Sequence, residues 1–133
     1  MTNNYIVYTD GAYSPKNDIG GIGFIIYKDN NKVCAFSKPY KHTTNQRMEQ
    51  MACIVALHSI KQPSNITIYT DSMYVVGTMM NAWKRKCNLD LWSELDSLTN
   101  KHNVTFKHIK GHNGNESNEE VDRLATRVIQ SCG

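Results

Sequence analysis

The chain is defined first by what it lacks. None of its apolar runs approaches the roughly 20 residues that cross a bilayer, so no membrane-spanning helix is expected. The N-terminus, Met1-Thr2-Asn3-Asn4-Tyr5, has neither the basic nor the apolar region of a secretory leader. The expected location is a cytosol, or a host cytoplasm if the gene is viral. Four cysteines (Cys34, Cys53, Cys87 and Cys132) show no CxxC spacing and no histidine at zinc-ligand distance. They read as reduced thiols, because a chain of 133 residues has enough core material to do without disulfides. Strong charge of either sign is missing too. The net charge of +3 permits nucleic-acid binding without arguing for it. With no linker or low-complexity tract, residues 1–133 read as one domain of ordinary size.

What is present begins with a repeated tripeptide. Tyr8-Thr9-Asp10 and Tyr69-Thr70-Asp71 each close a short β-branched, apolar run, Tyr5-Ile6-Val7 and Ile66-Thr67-Ile68. Both runs read as buried strands, and the flanking tyrosines and threonines as strand formers. Residues 11–18 read as a loop by their Pro, Asn and Asp content. Residues 20–27 and 32–40 form a hairpin around Asp29-Asn30-Asn31. Helical spacing follows over 44–60, with Thr44 as N-cap. On that helix Glu49, Cys53, Ala56, Leu57 and Ile60 share one face. A crossover through a helix makes the strand ending at Asp71 parallel to the first. Further helices are expected at 72–83 and 91–101, and a fifth strand at 104–109. In the last helix Ser117 and Glu120 fit a capping box ahead of the Val121, Leu124, Ala125, Val128, Ile129 stripe. The sum is a three-layer α/β domain.

Four acids stand out by position. Asp10 and Asp71 end strands, whereas Glu49 and Asp122 sit on or beside apolar helix faces. Taken singly, each has a bland explanation: a turn or helix cap, a buried ion pair of Glu49 with Arg47, or an N-terminal dipole contact for Asp122. Neighbouring strands lie roughly 4.8 Å apart, however, and carboxylates gathered at that spacing repel unless they share protons or hold hard cations. Two divalent ions roughly 3.5–4 Å apart would neutralise all four acids and suit phosphoryl transfer.

Five segments, in order and over residues 5 to 130, carry a family resemblance. They are Tyr-Thr-Asp-Gly (8–11), Thr-Thr-Asn-Gln-Arg-Met-Glu (43–49), Thr-Asp-Ser (70–72), Leu-Asp-Leu-Trp (89–92), and Lys-Gly-His-Asn-Gly through Asn-Glu-Glu-Val-Asp (110–122). Together they resemble type 1 ribonuclease H. The resemblance implies a ribonuclease H-like fold: a five-stranded mixed sheet of order 3-2-1-4-5 with helices on both faces. It implies cleavage of the RNA strand of RNA–DNA hybrids by two Mg2+ ions, or Mn2+ in their place, leaving 5′-phosphate and 3′-hydroxyl ends. Asp10, Glu49, Asp71 and Asp122 match the four metal-binding acids, and His112 matches a loop histidine that assists proton transfer or product release. Thr44, Asn45, Gln46 and Met73 match positions that grip the hybrid's phosphates and minor groove. A monomer is expected.

The chain also departs from that pattern. Trp83-Lys84-Arg85-Lys86-Cys87-Asn88 runs almost directly into Leu89, so the family's basic protrusion is largely absent. Weaker hybrid affinity is expected unless Lys84, Arg85 and Lys86 substitute for it. Ser14-Pro15-Lys16-Asn17 stands where Asn-Pro-Gly is frequent, leaving Asn17 as a candidate sugar contact, and His42 replaces a frequently basic residue. The competing readings are a same-fold nuclease with another substrate, such as a retroelement domain or junction resolvase, and an inactive hybrid-binding module. The presence of all four acids argues against the last.

Overall fold

The computed structural model describes residues 3–110 and 115–132. Its centre is the pair of strands predicted from the twin tripeptides. β1 (Asn3–Ser14) and β4 (Ser64–Thr70) pair in parallel, with Tyr5 opposite Ile66 and Tyr8 opposite Tyr69. The two Tyr-Thr-Asp copies therefore lie abreast. β2 (Ile19–Lys28) and β3 (Asn31–Lys41) form the expected hairpin. Its two-residue turn uses Asp29 and Asn30 at φ 52° and 67°, the conformation a type I′ turn requires. β5 (Asn103–His108) adds in parallel to the outer side of β4, giving the order β3-β2-β1-β4-β5.

Four helices cover the sheet: α1 (Asn45–Ser59), α2 (Met73–Met80), α3 (Leu89–Lys101) and α4 (Glu116–Cys132). β2 reveals the layering. Every residue from Ile19 to Ile26 is buried, which a strand shows only when both of its faces are covered. Ile22, Phe24 and Ile26 pack with residues of α1, whereas Gly21 and Gly23 lie under α4. Val7, Ile66, Ile68, Cys53, Leu57, Trp92 and Leu95 fill the core between the sheet and the helices α1 to α3.

Three expectations need correction. Residues 11–14 are not loop: β1 continues through Ser14, pairing Gly11 with Ile22 and Ser14 with Ile19, and only the turn itself is irregular. A partner strand already in register outweighs the low strand preference of Gly and Ser. α2 stops at Met80 rather than running on to 83. There the peptide N–H groups of Asn81 and Trp83 both close on the Gly77 carbonyl, at 3.0 and 3.1 Å. α4 is not capped by Ser117, since it is Asn115 whose side-chain oxygen accepts the Asn118 N–H at 2.8 Å. Ser117 instead meets the Tyr27 hydroxyl at 3.1 Å, and Glu120 pairs with Lys32 at 2.9 Å.

The closeness of α4 to the sheet makes a direct test. A Cβ at Gly23 would strike the Val121 carbonyl oxygen and the Leu124 Cβ, backbone and stem atoms that cannot swing aside. Gly23→Ala should destabilise the protein by about 1–3 kcal/mol in urea unfolding, as overpacking does. Unchanged stability would mean that α4 does not sit against β2 in this way.

Candidate active site

The sheet ends in a cluster of carboxylates. Asp10 lies on β1 opposite Gly23, and Asp71 directly follows β4. Because β1 and β4 are parallel and in register, the two acids emerge side by side at the same edge. α1 supplies the third acid. Thr44 caps it by accepting the Arg47 N–H at 3.1 Å, which sets the rotation of the first turns and turns Glu49 inward. Oxygens of Asp10, Glu49 and Asp71 lie within 4.8 Å of one another. Asp10 and Glu49 are almost enclosed, at 5% and 8% exposure, while Asp71 is half-buried.

Gly11 makes this approach possible. Its N–H donates both to the Asp10 carboxylate, at 3.0 Å, and to Glu49. β1 passes so near the first turns of α1 that any Cβ at position 11 would collide with the backbone of Met48 and Glu49. Ser72, the N-cap of α2, lies close to the Glu49 carboxylate and favours its charged form. Asp122, on α4, faces Asp10 within hydrogen-bonding reach. It stands beside the cluster of three rather than inside it.

The electrostatics follow from this crowding. Burial, then the charges of Glu49 and Asp71, and then Asp122 push the Asp10 carboxyl well above the ordinary carboxylate range. Burial and then the Asp71 charge raise Glu49 as well, with the Gly11 N–H acting in the opposite sense. Among the described residues no lysine or arginine forms an ion pair with Asp10 or Glu49. The alternative of a Glu49–Arg47 pair fails, because Arg47 reaches away to grip Asp90 with both terminal nitrogens, at 3.0 and 2.8 Å. Without a cation the site must hold protons. The donors are hard oxygens, clustered and partly desolvated, and that set fits hard divalent ions rather than soft ones.

The remaining candidates surround this edge unevenly. Asn45 and Gln46 are exposed in the first turn of α1, Met73 is 40% exposed at the start of α2, and Asn17 is exposed in the β1–β2 turn. Lys84 and Lys86 are exposed beyond α2. Arg85 is committed elsewhere: its guanidinium forks onto Asp96 at 2.6 and 2.9 Å and lies 5.6 Å from the Trp92 ring centre. His112 falls outside the described residues.

Several neighbours shape this edge without a signal in local composition. The tyrosines of the twin tripeptide stack on each other at 5.1 Å, with Tyr27 packed edge-on to Tyr8. Thr9 contacts the Cys53 sulfur at 3.6 Å, and the Thr70 hydroxyl accepts the Ser72 N–H at 3.1 Å, shaping the turn that carries Asp71. The His108 ring meets the Asp71 carbonyl at 3.2 Å. Gly11 and Ser72 each directly follow an acid of the cluster, which was the available signal for both.

Known proteins share this chain's sequence pattern and fold. Residues 2–130 match the RNase H family. A ribonuclease H of Francisella philomiragia is 46% identical over 141 aligned residues, covering 96% of this chain and 91% of that protein. Among solved structures, LC9-RNase H1, a type 1 RNase H with the type 2 active-site motif, superposes with a TM-score of 0.84 at 26% identity. That likeness covers 98% of this chain and 74% of the other. LC11-RNase H1, solved in complex with an RNA/DNA hybrid, gives 0.82 at 23% identity, covering 96% and 98%, and shares the fold. Kinship over nearly the whole length, in sequence and in fold, means that this chain belongs to the type 1 ribonuclease H family.

Proposed function

We propose that the chain hydrolyses the RNA strand of RNA–DNA hybrids endonucleolytically, leaving 5′-phosphate and 3′-hydroxyl ends. The observation that carries this reading is the set of three inward carboxylates with oxygens mutually within 4.8 Å, in a chain of this family. Asp10, Glu49 and Asp71 would hold two Mg2+ ions, or Mn2+, with Asp122 completing the donor set from α4. When bound, such a pair lowers the pKa of an attacking water and neutralises the leaving 3′ oxygen.

The chain's own groups do the positioning. Asp10, facing both Glu49 and Asp122, is the acid shared between the two halves of the donor set. The double donation of the Gly11 N–H holds the Asp10 and Glu49 oxygens in fixed directions before anything binds, which reduces reorganisation during the reaction. His112 serves proton transfer or product release. Asn45, Gln46 and Met73 face the minor groove, where 2′-hydroxyls distinguish RNA from DNA. Asn17 adds a sugar contact and Thr44 a phosphate contact. Lys84 and Lys86 supply charge for the backbone, and the protein acts as a monomer.

Removing the shared acid is the first test. Asp10→Asn should lower Mg2+-dependent hybrid cleavage by about 100-fold or more, with wild-type protein leaving double-stranded RNA and duplex DNA uncut. Cleavage that survives this substitution would move the chemistry to another site.

The raised carboxyls also make stability depend on pH and metal. A folded state that keeps protons the unfolded chain has lost becomes less stable as pH rises. The metal-free protein should therefore lose Tm as pH climbs from about 4, the unfolded carboxyl value, through neutrality. Asp90, which its pairing with Arg47 holds down at about 2, has the opposite slope, but below about pH 4. Mg2+ should restore Tm most at the alkaline end, by mass action on the folded state, and Asp10→Asn should flatten both effects. A metal-free Tm that rises between pH 5 and 8 would contradict the assignment.

The lysines make a separate prediction. Lys84→Gln with Lys86→Gln should reduce the slope of log affinity against log salt by roughly one to two units, one per lost phosphate contact. Arg85→Gln should instead lower Tm and leave that slope alone. The reverse pattern would return Arg85 to the interface.

A further inference from the structure

The β1–β2 turn and the segment entering α1 are joined by one carboxylate. Asp18 accepts the Tyr13 hydroxyl on one oxygen and meets the His42 ring nitrogen on the other, both at 2.7 Å. Its carbonyl takes the His42 backbone N–H at 3.1 Å. Asp18 and His42 are themselves in the left-handed region, at φ 51° and 56°. Residues other than glycine adopt that conformation at a cost, so each turn needs something to hold it. The contacts with Tyr13 and then His42 keep the Asp18 carboxyl below its usual range.

We propose that Asp18 is a positioning residue that clips the β1–β2 turn to the approach of α1, holding Asn17 and the Thr44-Asn45-Gln46 segment as one preorganised substrate-gripping surface. This rests on the function proposed above. The clip is open to solvent, with the His42 and Asp18 side chains 84% and 46% exposed. Exposed pairs of this kind contribute little to overall stability. Their effect here is geometric. Asn17 immediately precedes Asp18, and Thr44 lies two residues beyond His42. Tyr13 adds a third anchor, since it stands on the same strand as Asp10. Rigid presentation of both segments reduces the ordering cost of binding hybrid, so the clip acts on substrate affinity and leaves the carboxylate cluster untouched.

Asp18→Gly tests this cleanly, because glycine tolerates the left-handed backbone and removes only the side chain. It should raise KM for hybrid about fivefold with kcat changed less than about twofold, and with Tm nearly unchanged. His42→Ala should do the same, and the double variant should be no worse than either single one, as partners in one contact behave. Asp18→Asn, which keeps an acceptor for Tyr13, should recover part of the KM. An unchanged KM in Asp18→Gly, or additive losses in the double variant, would overturn the clip. If wild-type protein fails to cleave hybrid, the proposed function fails instead. The coupling then shows in amide hydrogen exchange at Arg47 and Met48, whose N–H groups close on the Thr44 side chain and carbonyl at 3.1 Å and which Asp18→Gly should accelerate. Unchanged exchange there would sink the clip independently of activity.

Discussion

The structure depends on the parallel register between β1 and β4. With Tyr8 opposite Tyr69, the following aspartates have no choice but to emerge together, and two negative charges meet at the edge of a largely apolar sheet. A slip of one residue would turn one acid to the opposite face. The hydrophobic pattern prevents it, because Val7, Ile66 and Ile68 would leave the core with it. Apolar burial thus maintains a polar arrangement that is unfavourable on its own terms.

The remaining architecture serves this edge from both sides. α1 crosses one face and delivers Glu49, with the absent side chain of Gly11 setting how near it comes. α4 lies on the other face, pressed onto β2 over Gly21 and Gly23, and brings Asp122 toward Asp10. Charges that repel are held by elements whose attraction lies elsewhere, in the packing of Cys53, Leu57 and Ile68 or of Val121 and Ala125. Stability is surrendered where cations are to bind, and the folded core supplies the difference. Mutual repulsion before binding becomes attraction for a hard cation after it.

Legibility varied with the range of the interaction. Thr44 was readable as the cap of α1 because capping is a contact across three residues. The βα crossover and the inward face of Glu49 followed from periodicity alone. Local chemistry misled where a distant partner competed for the same group. Ser117 has the right spacing for a capping box, but Asn115 caps α4 and the Ser117 hydroxyl meets that of Tyr27 on β2 instead. Residues 11–14 have loop composition, yet β2 lies alongside and completes their hydrogen bonds. Arg85 looked free within a basic run, and only the folding of α3 brings Asp96 and Trp92 beneath it.

By itself, then, the sequence determined the identity of the acids, the order of the elements and the family. Each of these is carried by residue type and spacing along the chain. Only the tertiary structure decided which acids share oxygens at close range, since Asp10, Glu49 and Asp71 are separated by many residues and united by sheet register and helix rotation. It also decided the bridging of Tyr13, Asp18 and His42, and the commitment of Arg85. These contacts join parts of the chain that have no local reason to meet. Their geometry is a consequence of packing, which no single segment encodes.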